Sequence, residues 1–464
     1  MVFSSLVFLL VFLPCVLVCY FLVRGIRAKN AVLCLFSLVF YAWGEPVYLF
    51  LMIGLILINY GLALAMGRAK NKPARSLLLT AALIADLGAI GFFKYGDFVL
   101  RNLEALLGVP MPALQVSLPI GISFFTFQII SYMADVYRRE TPPQRSLLKL
   151  ATYICPFPQL VAGPIVRYQT VAEELDHREE SFSLFTQGLH RFVIGLGKKV
   201  VFANAMAMLA DTVFDQAALP SGGALWLGAI AYMLQIYYDF SGYSDMAIGM
   251  GRMFGFHFLE NFNYPYIASS VTDFWRRWHI SLSSCFRDYV YIPLGGSRRG
   301  MARTALNMLA VWALTGLWHG ASWNFILWGL YYFVFLLVEK LLGRERLMKI
   351  PAVFRHVCLL LIVLGGWIIF RLESLEQIGA AFAGLFRFDG KTAGFLLSHH
   401  DALYPLFLLI PACAGCLPLA GWLRKKLPPR LSEIGCTAGD ILLFALCVAL
   451  LLGATYNPFI YFRF

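Results

Sequence analysis

The chain has 464 residues, of which 60% are hydrophobic and 14% charged, with a formal net charge of +12 and a mean hydropathy of +0.71. Soluble globular chains carry about 25% charged residues, so this composition excludes a soluble enzyme and indicates a polytopic membrane protein. The positive charge does not indicate nucleic acid: the basic residues fall in short clusters between apolar runs, as in cytoplasmic loops, and no basic, aromatic-interleaved soluble domain is present.

The first apolar run, MVFSSLVFLLVFLPCVLVCYFLV (1–23), has no basic residue ahead of it and reads as a retained transmembrane helix rather than a cleaved signal. A shorter run at 31–43 ends in WGEP (43–46) and either crosses or re-enters. Runs at 47–66, 76–93 and 118–137 follow, then 185–213 and 224–250. After these come 304–318, 323–342, 353–371, 403–423 and 438–456. Between them, 151–182 and 257–303 are rich in Pro, Gly and aromatics and too polar to face lipid; the latter is expected to form amphipathic or re-entrant pieces lining a cytoplasmic vestibule. The pattern predicts an all-α polytopic membrane protein of about eleven or twelve transmembrane helices. Residues 1–464 read as one membrane domain, with no soluble appendage and no clear repeat. Basic clusters at 24–29, 68–75, 138–149 and 424–430 are all cytoplasmic if 31–43 crosses, which places the N-terminus and the tail NPFIYFRF (457–464) outside. The ten cysteines are scattered. The one CxxC, Cys413 to Cys416, lacks a second pair, so small apolar packing is expected there and no metal site.

Three groups of residues stand out from this apolar frame. His319, in LTGLWHGASWNF (314–325), lies between two runs that read as lipid-soluble helix, where imidazole is costly and normally marks a pathway or a catalytic centre. It reads either as a general base, taking a proton from an attacking hydroxyl, or as a structural histidine bonded between helices. The stretch 271–303 holds Arg276, Arg277, Arg287, Arg298, Arg299 and Arg303 against Asp273 and Asp288, together with Trp275, Trp278, Tyr289 and His279. It reads as a dock for a phosphate-bearing donor or as a loop touching anionic lipid headgroups. Finally, YYDFSGYSDMAIGMGR (237–252) places Asp239, Ser241, Tyr243 and Asp245 inside an apolar run. These carboxylates need a cation, a histidine or the arginines of 276–287 as partners, and structural pairing is the favoured reading.

DFSGYSDMAIGMGRMFGF, NFNYPY, DFWRRWHISLS, FRDYVYIPLGG and LTGLWHGASWNF follow one another as in the membrane-bound O-acyltransferases, and the chain resembles the bacterial branch serving alginate O-acetylation, peptidoglycan O-acetylation and teichoic-acid D-alanylation. The five motifs cover about 239–325, with softer likeness in YAWGEP (41–46), LPIGISFFTFQ (118–128) and FPQLVAGPIVR (157–167). The resemblance implies a catalytic His319, a second functional His279 beside Arg287 and Asp288, and a central tunnel where a cytoplasmic thioester meets the acceptor. It implies acetyl-coenzyme A as co-substrate for acetylating members and a carrier-protein thioester for D-alanylating ones. The last residues, FIYFRF (459–464), resemble an F-x-Y-x-x-F signature of the transfer step, which makes Tyr461 a candidate acyl carrier; the alternative is an aromatic anchor at the membrane interface.

The reading that results is an O-acyltransferase of the bacterial inner membrane, modifying an extracellular or periplasmic polysaccharide. Coenzyme A phosphates are expected near Arg276, Arg277, Arg287, Asp288 and Arg298. His319 deprotonates a hydroxyl, and His279 or a backbone donor steadies the oxyanion. A separate periplasmic or surface transferase completes delivery, and membrane lipids are the other partner. D-alanyl transfer from a carrier protein, and a non-enzymatic transporter, are the alternatives.

Overall fold

In a computed structural model, all residues are described except 217, 221, 427, 454–458 and 461–464, and at 423, 424 and 429–432 only the backbone is described. The described chain is built of helices and falls into two compact units interleaved in sequence: residues 1–192 with 246–259, and 193–245 with 260–464.

The first unit begins with a π turn, Phe8–Phe12, leading into α1 (Leu13–Leu22). It continues through α2 (Ile26–Gly44), α3 (Tyr48–Arg68), α4 (Lys72–Ile90), α5 (Gly96–Leu107), α6 (Ile122–Arg138) and α7 (Leu147–Ile154). Two single turns follow, α8 (Phe157–Leu160) and α9 (Tyr168–Val171), and then α10 (Phe182–Gly197), which runs on into the second unit. Side-chain caps set several starts: Asn71 accepts from the Ala74 amide before α4, and Ser146 from the Lys149 amide before α7. Buried polar groups are paired across helices. Asn59 of α3 donates to Asp86 of α4 at 2.8 Å, and Arg178 reaches Asn30 Oδ1 at 2.7 Å while lying 4.5 Å from the Phe256 ring centroid.

The second unit opens with a π turn at Lys198–Ala203, α11 (Asn204–Phe214) and the long α12 (Gly223–Met253), whose last turns belong to the first unit. Two short helices come next, α13 (Val271–Arg277) and α14 (Ile280–Phe286), and then α15 (Met301–His319), α16 (Trp323–Lys349) and α17 (Ala352–Arg371). The remainder is α18 (Leu375–Gly384), α19 (Thr392–Ser398), α20 (Leu403–Gly415), α21 (Leu419–Lys426) and α22 (Pro429–Gly453). α15 and α16 cross at glycines. A Cβ on Gly316 would lie 2.4 Å from the Phe325 carbonyl oxygen, and one on Gly329 would lie 2.4 Å from that of Trp312. Only a missing side chain permits that approach, which is how membrane helices commonly pack.

Among the described residues, seven helical stretches are long and apolar enough to cross a membrane: Ile26–Gly44, Tyr48–Arg68, Lys72–Leu107, Phe182–Phe214, Trp323–Lys349, Ala352–Arg371 and Glu433–Gly453. The pair Thr392–Ser398 and His400–Gly415, bent by 104°, makes eight if it is one span. The chain is therefore an all-α, multi-pass membrane protein, with fewer such stretches than the eleven or twelve expected. The apolar runs at 3–23, 118–137, 224–250 and 304–318 do form helices, but Phe8–Leu22 and α6 are short, and α12 and α15 are interrupted by polar residues such as Asp239, Ser241, Asn307 and His319. The uncertain 31–43 run lies within the Ile26–Gly44 stretch.

Candidate active site

Both histidines lie in the second unit and both touch Trp318. The His319 ring centroid is 4.9 Å from that of Trp318, and His279 is 5.7 Å from the same indole. Half-buried His319 is the last residue of α15, where Gly320 turns the chain away. Trp328 at 5.0 Å and Phe370 at 5.2 Å complete a cup of ring edges around its imidazole. α16 supplies Trp328 and α17 supplies Phe370, so the glycine crossing of α15 with α16 sets the position of the imidazole.

His279 is built differently. It is 2% exposed and sits at φ 45°, ψ 54°, the left-handed region that a non-glycine residue adopts only under local compulsion. That compulsion comes from Asn261, whose carbonyl oxygen accepts the Ile280 amide at 3.0 Å and whose side-chain oxygen accepts the Ser281 amide at 3.2 Å and the Ser281 hydroxyl at 2.9 Å. Because a backbone N–H can only donate, the Asn261 side chain is oriented with Oδ1 toward His279, and its amide nitrogen donates to Ser244 of α12 at 3.1 Å. His279 Nδ1 lies 3.1 Å from that same Oδ1, so it must carry the proton. The neutral ring then presents Nε2 as a lone pair, buried and without a hydrogen-bond partner among the described residues. His279 lies outside the membrane-crossing stretches, and burial lowers its pKa from 6.5 to about 3. This arrangement supplies an acceptor or base. It does not supply the donor that the expected oxyanion role of His279 requires.

The surrounding shell is aromatic. Trp275 packs against Trp312 (4.8 Å), Trp328 (5.5 Å) and Tyr332 (4.8 Å), while Trp278 packs against Trp367 (4.8 Å). The start of α13, the helix that carries Trp275 and leads into Trp278, is fixed from α16 by Glu339, whose carboxylate accepts from the Val271 amide at 2.6 Å and the Thr272 amide at 2.8 Å.

Among the expected donor-binding residues, Arg276 is exposed on α13 and Arg277 is half-buried, with its Nε 3.0 Å from Asp273. Arg287 is exposed and grips Asp288 through two bonds of 2.7 and 3.1 Å, and Arg298 is exposed in the following glycine-rich turn. The acids of α12 take lysines as partners. Asp245 pairs with Lys198 at 2.6 Å and Asp239 with Lys199 at 2.7 Å, two lysines that no motif singles out. Asn261 is visible in the sequence only as part of NFNYPY, and Glu339 only as an acid in an apolar run. Tyr461 lies outside the described residues. A cavity of about 620 Å³ in the same unit, lined by Leu219, Pro220, Asp389, Lys391, Thr392 and Phe395 among others, includes neither histidine in its walls.

This geometry sits within a recognisable lineage. Residues 113–369 match the model of the membrane-bound O-acyltransferase family. A probable alginate O-acetylase of Azotobacter vinelandii is 39% identical over the whole of both chains. A peptidoglycan O-acetyltransferase of Helicobacter pylori is 35% identical over 84% of this chain and 80% of its own. A teichoic acid D-alanyltransferase of Bacillus subtilis is 30% identical over 47% and 58%. The chain belongs to the membrane-bound O-acyltransferase family and is an acyltransferase.

Proposed function

We propose that this protein moves acetyl groups from cytoplasmic acetyl-coenzyme A, across the bacterial inner membrane, for O-acetylation of an extracellular polysaccharide of the alginate or peptidoglycan type. The observation that carries the reading is the His319 imidazole in its aromatic cup at the end of α15, in a chain whose relatives over most or all of its length are named for O-acetylation.

His319 takes the proton from an acceptor hydroxyl as the oxygen attacks the thioester carbonyl. The tetrahedral intermediate then expels the coenzyme A thiolate, which recovers that proton from the imidazolium. The C-terminal end of α15 favours positive charge on the ring while the proton is held there. His279, with its Nε2 lone pair, accepts a hydrogen bond from an N–H or O–H of the donor and helps to aim its thioester. Arg276, Arg277, Arg287 and Arg298, with Asp288 orienting Arg287, receive the phosphates of the donor. Tyr461 is the candidate acceptor hydroxyl, passing the acetyl ester to a separate periplasmic or surface transferase.

The test is made in cells. In a host lacking its own enzyme, the wild-type chain restores ester-linked acetate on the polymer, whereas an equally abundant His319→Ala variant does not. Acetylation that survives in His319→Ala removes His319 as the base. Full acetylation in Tyr461→Phe removes the carrier role alone. D-alanine esters in place of acetate would transfer the reading to the carrier-protein donor.

A further inference from the structure

We propose that the buried Lys199–Asp239 pair is a receiver for the chain's own C-terminal segment, gripping it by the main-chain amide of Ile460. Asp239 is 1% and Lys199 2% exposed. The ammonium lies 2.7 Å from Asp239 Oδ1, an ionic contact rather than a directional hydrogen bond. The other carboxylate oxygen, Oδ2, accepts the Ile460 N–H at 2.7 Å. Phe459 and Ile460 are 4% and 2% exposed, and Ile460 lies 221 residues along the chain from the aspartate that holds it. The Phe459 ring lies 4.9 Å from that of Tyr243, one helical turn beyond Asp239, and the Lys199 ammonium is 5.9 Å from the same ring.

A buried ion pair contributes little stability that well-packed apolar side chains would not, so stability alone does not account for it. Here each charge does more than neutralise the other. The carboxylate takes a main-chain N–H in a charge-assisted bond, and the ammonium faces an aromatic ring. The ligand so recognised is a peptide segment with an aromatic side chain followed by a free backbone N–H and an apolar residue. The π turn at Lys198–Ala203 aims two successive lysines at α12, Lys199 at Asp239 and Lys198 at Asp245. The receiver adjoins the histidine support. Asp239 and Tyr243 hold the segment, while the next residues along α12, Phe240 and Ser244, pack on His279 (4.6 Å) and bond Asn261 (3.1 Å). One helix thus docks the segment that leads into Tyr461 and braces the His279 loop.

The test is hydrogen–deuterium exchange on the full chain in nanodiscs, read on peptides from the last ten residues and on α17 as an internal control. Ile460→Pro deletes the donor yet keeps an apolar side chain and leaves the ion pair intact, and Ile460→Val keeps the donor. The proposal expects exchange in the final segment to speed up at least tenfold in Ile460→Pro and in Asp239→Ala, to stay as wild type in Ile460→Val, and α17 to remain protected. Unchanged exchange in Ile460→Pro overturns it, as does equal acceleration in Ile460→Val. If Asp239→Ala also deprotects α17, the proline and valine variants decide alone. The readout is independent of acetyl transfer, so it stands or falls separately from the proposed function.

Discussion

At the scale of single residues, the two histidines are prepared for different work. His319 meets the rings of Trp318, Trp328 and Phe370 at a helix end, whereas His279 is locked in one tautomer by Asn261 and buried with Nε2 unbonded among the described residues. Asn261→Ala removes the acceptor that fixes this tautomer and is expected to lower kcat by roughly 10²-fold, the lower range for general acid–base positioning, with little change in donor KM. Steady-state kinetics check this; a raised KM at unchanged kcat would place Asn261 in donor binding instead. His279 also links stability to pH. Its folded pKa of about 3 lies below the unfolded value of 6.5, so the unfolded chain binds the extra proton first on acidification. Its contribution is complete above pH ~6.5 and is lost at up to roughly 1.4 kcal/mol per pH unit as pH falls toward 3. Thermal midpoints in detergent should therefore fall more steeply between pH 6 and 4 for wild type than for His279→Asn, and equal slopes would contradict the buried neutral ring.

At the scale of elements, the site depends on two contacts that hold helices rather than substrate. Gly329 lets α16 approach α15 so closely that a Cβ would meet the Trp312 carbonyl at 2.4 Å. Gly329→Ala is expected to cost about 1–3 kcal/mol through overpacking and to displace His319, lowering both thermal midpoint and kcat. Glu339 caps α13, the helix carrying Trp275, Arg276 and Arg277. Glu339→Ala leaves two helix-start amides unsatisfied, a loss of about 1–3 kcal/mol. If α13 presents the donor-binding arginines, KM for the acetyl donor rises with it; an unchanged KM in a destabilised protein would confine Glu339 to a structural role. The sequence could reveal neither device fully, because a glycine crossing is defined by what the facing helix brings to it.

At the scale of the whole molecule, what was legible in the sequence was set by lipid. Long apolar runs are needed to cross a bilayer, and the seven crossing-competent stretches all appear among the runs read from composition. Runs such as 224–250 fall outside those seven because a helix buried against other helices tolerates residues like Asp239 and Asp245 once lysines neutralise them. Those lysines, Lys199 and Lys198, lie in the continuation of α10, and no spacing rule connects them to the acids of α12. His319 stood out because imidazole is out of place in an apolar run, and His279 because it lies in the most charged and aromatic stretch; the resemblance of the motifs around them implies their roles. Asn261 was not legible, since its contact with His279 is made by the fold and not by proximity in a motif.

The central claim is that this membrane chain transfers an acetyl group from acetyl-coenzyme A at His319. The most direct measurement follows coenzyme A release and protein-retained label from radiolabelled acetyl-coenzyme A, with purified wild-type, His319→Ala and Tyr461→Phe proteins in nanodiscs. Turnover by wild type that is abolished in His319→Ala is the predicted result, with retained label lost in Tyr461→Phe. Equal turnover by wild type and His319→Ala, both folded, would contradict the account.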